Sequence, residues 1–124
     1  IQADVQVYTL EEIVAEKLRA ILQHARRLEE RGWGRSRARD YYDLWRLFGA
    51  YGDRMDFAGF ADLLSAKCAV RSVAFSQPDD FFPDAVLDHV ERTWAQWLGP
   101  LVAELPRFET VIAELRPRIG AVIR

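Results

Sequence analysis

The feature that most constrains the fold of this 124-residue chain is the spacing of apolar residues between Leu10 and Leu28, which recur every three or four positions. Such spacing places the apolar side chains on one face of an α-helix and the charged ones on the opposite face. Thr9 and Glu12 stand at the capping-box spacing that begins a helix, and Gly32 suits the left-handed conformation that ends one. The sequence therefore predicts an amphipathic helix that begins at Thr9 and ends just before Gly32.

Further helical stretches follow, over residues 37–48, 57–71 and 83–98, with Asp56 as the expected N-cap of the middle one. Pro106 and Pro117 are expected to divide the tail into short helices, because proline interrupts helices. In the stretch over 83–98, an apolar series with helical spacing reads as core. It comprises Val86, Leu87, Val90, Trp94 and Trp97. The fold class is therefore mainly α, a helical bundle, with one short strand over residues 4–8 whose sheet partners we expect upstream.

Composition and charge exclude several classes of protein. Half of the residues are hydrophobic, as in ordinary globular domains, and the net charge of −2 creates no overall field for nucleic acid or membrane. Cys68 is the only cysteine, so the chain can form neither an internal disulfide nor a thiolate zinc site. No apolar run is long enough to span a membrane, and no signal peptide is recognisable. We therefore expect one cytoplasmic domain with no membrane partner.

Lys17 is a charged residue where the helical pattern requires an apolar one. On a helical wheel at about 100° per residue, Lys17 falls inside the apolar arc, between Ile13 and Leu10. A lysine there must extend to water along its aliphatic stem or meet an anion. Asp40 interrupts the apolar arc of the second predicted helix in the same way, and Asp43 flanks it on a neighbouring face.

The spacing of these charges permits two interpretations. Lys17 could extend to solvent while Asp40 stabilises the start of its own helix, in which case both roles are structural. Alternatively, two misplaced charges of opposite sign in consecutive helices belong to a site. In a straight antiparallel hairpin about two turns would separate the two side chains, so a direct ion pair does not follow from the sequence. We expect both to open onto one partly exposed groove.

Two stretches carry a more specific signal. The first is Leu-Glu-Glu-Ile-Val-Ala-Glu-Lys-Leu-Arg-Ala over residues 10–20, and the second is Arg-Asp-Tyr-Tyr-Asp-Leu-Trp over residues 39–45. They resemble the last two motifs of the AbiEii/AbiGii-type nucleotidyltransferase toxins, the family of abortive-infection and type IV toxin–antitoxin systems. The order of the motifs and the short loop between them also fit. The resemblance is specific over residues 9–48 and diffuse over the helical remainder.

This resemblance implies a transferase of the polymerase-β-like superfamily, which moves a nucleoside monophosphate from an NTP, with Mg²⁺, onto an acceptor such as tRNA. Phosphoryl transfer needs cations against the triphosphate and carboxylates that hold metal or orient the nucleophile. By the match, Lys17 contacts the triphosphate and Asp40 is the active-site aspartate, with Asp43 as the alternate for that role. The residues of second rank, expected to bind substrate, are Arg39, Arg19 and Glu16. The family also implies an antitoxin protein as partner.

The chain departs from the family pattern in one respect. The family's upstream half carries a Gly-Ser turn and an Asp-x-Asp metal pair on a sheet, and the 124 residues contain neither. We therefore expect residues 1–124 to be the helical C-terminal domain of a nucleotidyltransferase-like protein, without a metal site and inactive alone. The alternatives are a purely structural bundle, or a non-catalytic module that binds RNA or a protein partner. In the binding module, the nine Lys/Arg from Lys17 to Arg46 would form the surface that contacts the partner. Otherwise these residues form a solvated helix face.

Overall fold

Helices form most of the chain in the computed structural model, which describes residues 8–32 and 34–123. The α-helices of the described part are α1 (Leu10–Arg31), α2 (Ala38–Tyr51), α3 (Phe60–Val70), α4 (Asp84–Leu98) and α5 (Phe108–Val122). Short 3₁₀ helices follow α2 and precede α4, and no strand occurs among the described residues. The prediction of a mainly α, helical bundle is therefore confirmed. The predicted strand over residues 4–8 lies almost entirely outside the described residues.

The ends of α1 form as the sequence predicts. The Thr9 side chain accepts a hydrogen bond from the Glu12 backbone N–H at 3.1 Å, and the Thr9 hydroxyl also lies 3.3 Å from the Glu12 carboxylate. Gly32 ends the helix with φ of 74°, and its N–H donates to the Leu28 carbonyl. These caps satisfy backbone groups that a helix end leaves without partners.

Two of the other helices differ from the prediction at their starts or in their interiors. α3 begins at Phe60, later than expected, because Gly59 adopts the left-handed conformation with φ of 70°. α5 continues through Pro117, although proline costs a helix interior about 3 kcal/mol. Burial of the apolar face of α5 offsets that loss. The buried apolar residues of this face are Val111, Ile112, Leu115 and Ile119.

The core lies between α1 and α2 and the helices that flank them. α1 contacts α2, α3 and α4, and α2 also contacts α4 and α5. On α4 the buried residues recur every four positions, so the buried stripe is narrow. Its members are Val86, Val90, Trp94 and Leu98. Trp97 lies at the edge of this stripe with 56% of its surface exposed, so its assignment to the core is wrong. None of the described helices is long and apolar enough to span a membrane.

The connection between α1 and α2 folds back along α1. Gly34 lies against the His24 ring, so closely that a Cβ at this position would meet His24 Cε1 at 2.5 Å. His24 is two helical turns from the end of α1, so the chain has already reversed when it passes this ring. Lys17 lies two further turns from His24 toward the start of α1. The connection therefore delivers the first turn of α2 to the middle of α1.

Candidate functional site

Lys17 lies between two carboxylates of α2. Its Nζ atom is 3.0 Å from Asp43 Oδ2 and 3.5 Å from Asp40 Oδ1. The three side chains are partly buried, with 23%, 30% and 17% of their surfaces exposed for Lys17, Asp43 and Asp40. A lysine ammonium carries three donors, and these contacts use two of them. No described residue uses the third donor of Lys17.

Each aspartate also contacts an arginine. Arg37 Nη1 lies 3.1 Å from Asp40 Oδ2, and Arg39 Nε lies 3.6 Å from Asp43 Oδ2. Three cations thus surround two carboxylates, which leaves this cluster with one excess positive charge. We call Lys17, Asp40, Asp43, Arg37 and Arg39 the charge cluster.

A groove of about 600 Å³ opens beside Lys17. We call it the lysine groove, and its lining residues are Tyr8, Glu12, Ile13, Glu16, Lys17, Ala20, Asp40, Lys67 and Arg71. Lys17 and Asp40 both line it, so the prediction that they share one partly exposed groove is confirmed. Asp43 contacts Lys17 but is not among the residues that line the groove.

Lys67 and Arg71 are the groove residues that the sequence analysis missed. Lys67 comes from α3 and contacts Glu16 at 3.1 Å, which leaves two of its three donors unused among the described residues. Arg71 follows the end of α3 and is exposed. A signal existed, because Lys67 stands three positions after the buried Leu64 and therefore next to the apolar stripe of α3. That is the same anomaly that marks Lys17.

The three residues of second rank lie in different places. Glu16 lines the lysine groove and binds both Lys67 and Arg19. Arg19, at 2.7 Å, and then Lys67 lower the pKa of the Glu16 carboxyl, because their positive charges favour its ionised form. Arg19 is held within α1 by Glu16 and Gln23 and does not line the groove. Arg39 is 75% exposed and lies outside the lysine groove, beside Asp43.

Among the polar and charged residues of the described chain, His24 is the one that is fully buried. Its ring stacks on that of His89 with 5.9 Å between centroids, and its Nε2 atom has no hydrogen-bond partner there. Burial, followed by the positive charge of Arg37, lowers the pKa of His24 to about 4. His24 is therefore neutral at pH 7, and it packs against Gly34 and His89 rather than lining the lysine groove.

The magnesium ion implied by the family resemblance does not fit the charge cluster. Magnesium is held by several oxygen ligands, usually carboxylates together with water and phosphate. Both carboxylates of the cluster already contact cations, so a divalent ion bound to them would lie against the Lys17 ammonium and an arginine. No group of three or more His, Cys, Asp or Glu side chains that could hold a metal occurs in the described part of the chain.

Fold and site together define a helical bundle in which cationic side chains of α1 and α3 face a groove beside the two aspartates of α2. The chain matches the family described as nucleotidyl transferase AbiEii toxin, type IV TA system, over residues 1–114. It therefore belongs to the AbiEii family, as the two motifs indicated. The comparisons with curated proteins and with solved structures found no match.

Proposed function

We propose that the lysine groove binds the triphosphate of an NTP, and that Asp40 prepares an acceptor hydroxyl, such as that of a tRNA end, for nucleotidyl transfer. The observation that carries the proposal is the position of Lys17, which is held by two aspartates and has a third donor that no described residue uses. The membership in a family of nucleotidyl transferase toxins supplies the reaction class.

The hydrogen-bond donors of the lysine groove, rather than its net charge, favour binding of a triphosphate. The groove lining holds three cations, Lys17, Lys67 and Arg71, and three carboxylates, Glu12, Glu16 and Asp40. These charges balance, so the groove has no strong field of its own. Phosphate oxygens would instead be bound by the Lys17 and Lys67 ammonium groups, which carboxylates already hold in place, and by the exposed Arg71 guanidinium. Such preorganised donors stabilise charge that develops on phosphoryl oxygens in the transition state.

The proposed reaction proceeds in one displacement. The acceptor hydroxyl oxygen attacks the α-phosphorus of the NTP, and the bond from that phosphorus to the bridging oxygen breaks. Pyrophosphate leaves with the electron pair of this bond, and the hydroxyl proton passes to the Asp40 carboxylate. Lys17 neutralises negative charge on the phosphates during the displacement.

The remaining residues have positioning roles in this proposal. Asp43 holds Lys17 and does not line the groove, so we assign it the secondary role. Glu16 holds Lys67 in the same manner, and Arg19 fixes Glu16. The negative charge of Glu16 suits this role better than direct contact with a triphosphate, because like charges repel. Arg39 serves a substrate on the other side of Asp40.

The proposal also covers what lies outside the groove. We propose that Mg²⁺ is held by an Asp-x-Asp pair on a separate segment of the protein, since the 124 residues contain no such pair. The isolated chain would then bind an NTP but transfer nothing. We further propose an antitoxin protein as partner and the cytoplasm as the site of action.

The two lysines of the sequence allow a direct test, because Lys17 and Lys67 are the only ones. In ¹⁵N-lysine NMR spectra of the 124-residue chain, titration with ATP should shift both Nζ resonances, and Lys17→Met should remove one resonance and weaken binding. A transfer assay with labelled NTPs, Mg²⁺ and total tRNA should show no product with this chain and labelled acceptor with a longer polypeptide that includes an Asp-x-Asp segment. Absence of any lysine shift at millimolar ATP would favour a non-catalytic module instead.

A further inference from the structure

A second groove lies on the other side of Asp40. It encloses about 610 Å³ between the start of α2 and the end of α4. We call it the tryptophan groove, and its lining residues are Arg35, Ser36, Arg37, Arg39, Asp40, Trp97, Leu98 and Leu101. Asp40 lines both this groove and the lysine groove. A molecule bound here would therefore meet Asp40 from the side opposite to Lys17.

Two properties of the tryptophan groove point to its occupant. Trp97 and Leu101 are 56% and 67% exposed, and the Trp97 ring stacks on no other described aromatic ring. The lining carries three arginines and one aspartate, an excess of two positive charges. Arg35 is exposed and makes no ion pair with a described residue. Arg37 and Arg39 contact Asp40 and Asp43, although the Arg39 side chain is 75% exposed. An exposed indole beside exposed guanidinium groups is the arrangement with which proteins stack a base and bind its phosphates.

We propose that the tryptophan groove binds a single-stranded nucleic-acid segment, with a base stacked on Trp97 and the adjacent phosphates bound by Arg35 and Arg39. The strand would be the acceptor of the proposed transfer, so this inference rests on the proposed function. Its terminal hydroxyl would reach Asp40 from the tryptophan groove, while the NTP reaches Asp40 from the lysine groove. Each of the two substrates of the proposed reaction would therefore reach Asp40 through its own groove.

The same bundle provides a matched control surface. Tyr51 is also an exposed aromatic, and Arg54 lies over its ring at 5.9 Å. This pair stands at the far end of α2, about 20 Å of helical rise from Arg39. Tyr51→Ala and Arg54→Glu therefore remove the same kinds of group without touching either groove.

Binding of a fluorescein-labelled single-stranded RNA of about ten nucleotides to the 124-residue chain, measured by anisotropy without NTP, tests the proposal. Trp97→Ala and Arg35→Glu should each weaken binding about tenfold, Trp97→Phe should retain most of it, and both control variants should bind within about twofold of the parent chain. RNA should also quench the intrinsic tryptophan fluorescence of the parent chain, and Trp97→Phe should lose that quenching.

Unchanged RNA affinity in Trp97→Ala and Arg35→Glu would overturn the proposal, as would an equal loss in the control variants. If Trp97→Ala abolished binding of a protein partner and left the RNA affinity unchanged, the groove would be a protein interface. That result would also overturn the proposal. The assay contains no NTP, so it separates this inference from the proposed function. RNA binding as expected, together with normal transfer by Lys17→Met, would retain the groove and refute the catalytic role of Lys17.

Discussion

Asp43 Oδ2 lies 3.0 Å from Lys17 Nζ, and this ion pair joins the third turn of α1 to the second turn of α2. Asp43 is not among the residues that line the lysine groove. Asp40, in contrast, lines both grooves. The two aspartates of one motif therefore have different positions relative to the two grooves, and substitutions should separate their roles.

The first prediction concerns the two aspartates. In a transfer-competent polypeptide, Asp40→Asn should lower the rate by about a hundredfold or more, because the amide cannot accept the hydroxyl proton. Asp43→Asn should lower it by only about tenfold, because Lys17 keeps its contact with Asp40. Rates of pyrophosphate release with saturating acceptor would measure both effects. The reverse order of the two losses would assign the reactive role to Asp43.

The second prediction concerns the energy of the Lys17–Asp43 pair. Both side chains are partly buried, so their coupling should exceed that of a surface pair, which is commonly below about 1 kcal/mol. Urea unfolding of Lys17→Met, Asp43→Asn and the double variant forms a double-mutant cycle, and we expect a coupling of about 1 to 2 kcal/mol that decreases in high salt. The exposed pair of Arg26 and Glu30 provides the control cycle. Equal coupling energies in the two cycles would contradict the partly buried geometry.

The third prediction concerns pH and His24. The folded-state pKa of His24 is lowered to about 4 from an unfolded value of 6.5, so the unfolded chain binds a proton that the folded chain resists. Stability should therefore be complete above about pH 6.5 and should fall as the pH decreases toward about 4, by up to about 3 kcal/mol. The groups acting on His24 are Arg37, His89 and Arg27, which disfavour its charge, and Asp40, which favours it.

The measurement for this third prediction is the free energy of unfolding between pH 4 and pH 7. His24→Leu should remove most of the slope in this interval. His89→Asn should retain most of it, because burial of His24 is the largest cause of the lowered pKa. A slope in His24→Leu equal to that of the parent chain would show that other groups cause the acid sensitivity.

The fourth prediction concerns Gly34. An alanine Cβ there would lie 2.5 Å from His24 Cε1 and 2.9 Å from Nδ1, and the buried ring has little room to move. Gly34→Ala should therefore destabilise the chain by about 1 to 3 kcal/mol. Gly49→Ala is the matched control, because its Cβ would meet nothing within 4 Å inside α2 and should stabilise by up to about 1 kcal/mol. Thermal unfolding of both variants would decide, and a tolerated alanine at 34 would argue against the reversed connection.

Most of the fold follows from local signals in the sequence. Apolar spacing, the Thr9 cap and the Gly32 stop predict α1 closely, because each acts within one or two turns of the chain. The errors arise where a local signal competes with packing. Pro117 does not break α5, since burial of that helix outweighs the lost hydrogen bond. Trp97 has core-like spacing, yet the buried stripe on α4 is too narrow to include it.

The candidate site was predictable in part. Lys17 and Asp40 were recognisable as charges in apolar arcs, and the two family motifs indicated that they belong to one site. Their direct contact was not predictable, because it depends on the connection that reverses at Gly34 and offsets α2 along α1. Lys67 reaches the same groove only because α3 packs on α1, and no pattern within α3 specifies that neighbour.

The most direct test of the account is the transfer rate of Lys17→Met in a polypeptide that carries both this chain and an Asp-x-Asp segment. Methionine keeps the length of the side chain and removes its charge, so the circular dichroism spectrum should be unchanged while the rate falls by about a hundredfold. Arg31→Met, which removes an exposed cation from the last turn of α1, should leave the rate unchanged. A folded Lys17→Met protein that transfers nucleotide at the parent rate would contradict the assignment of the lysine groove.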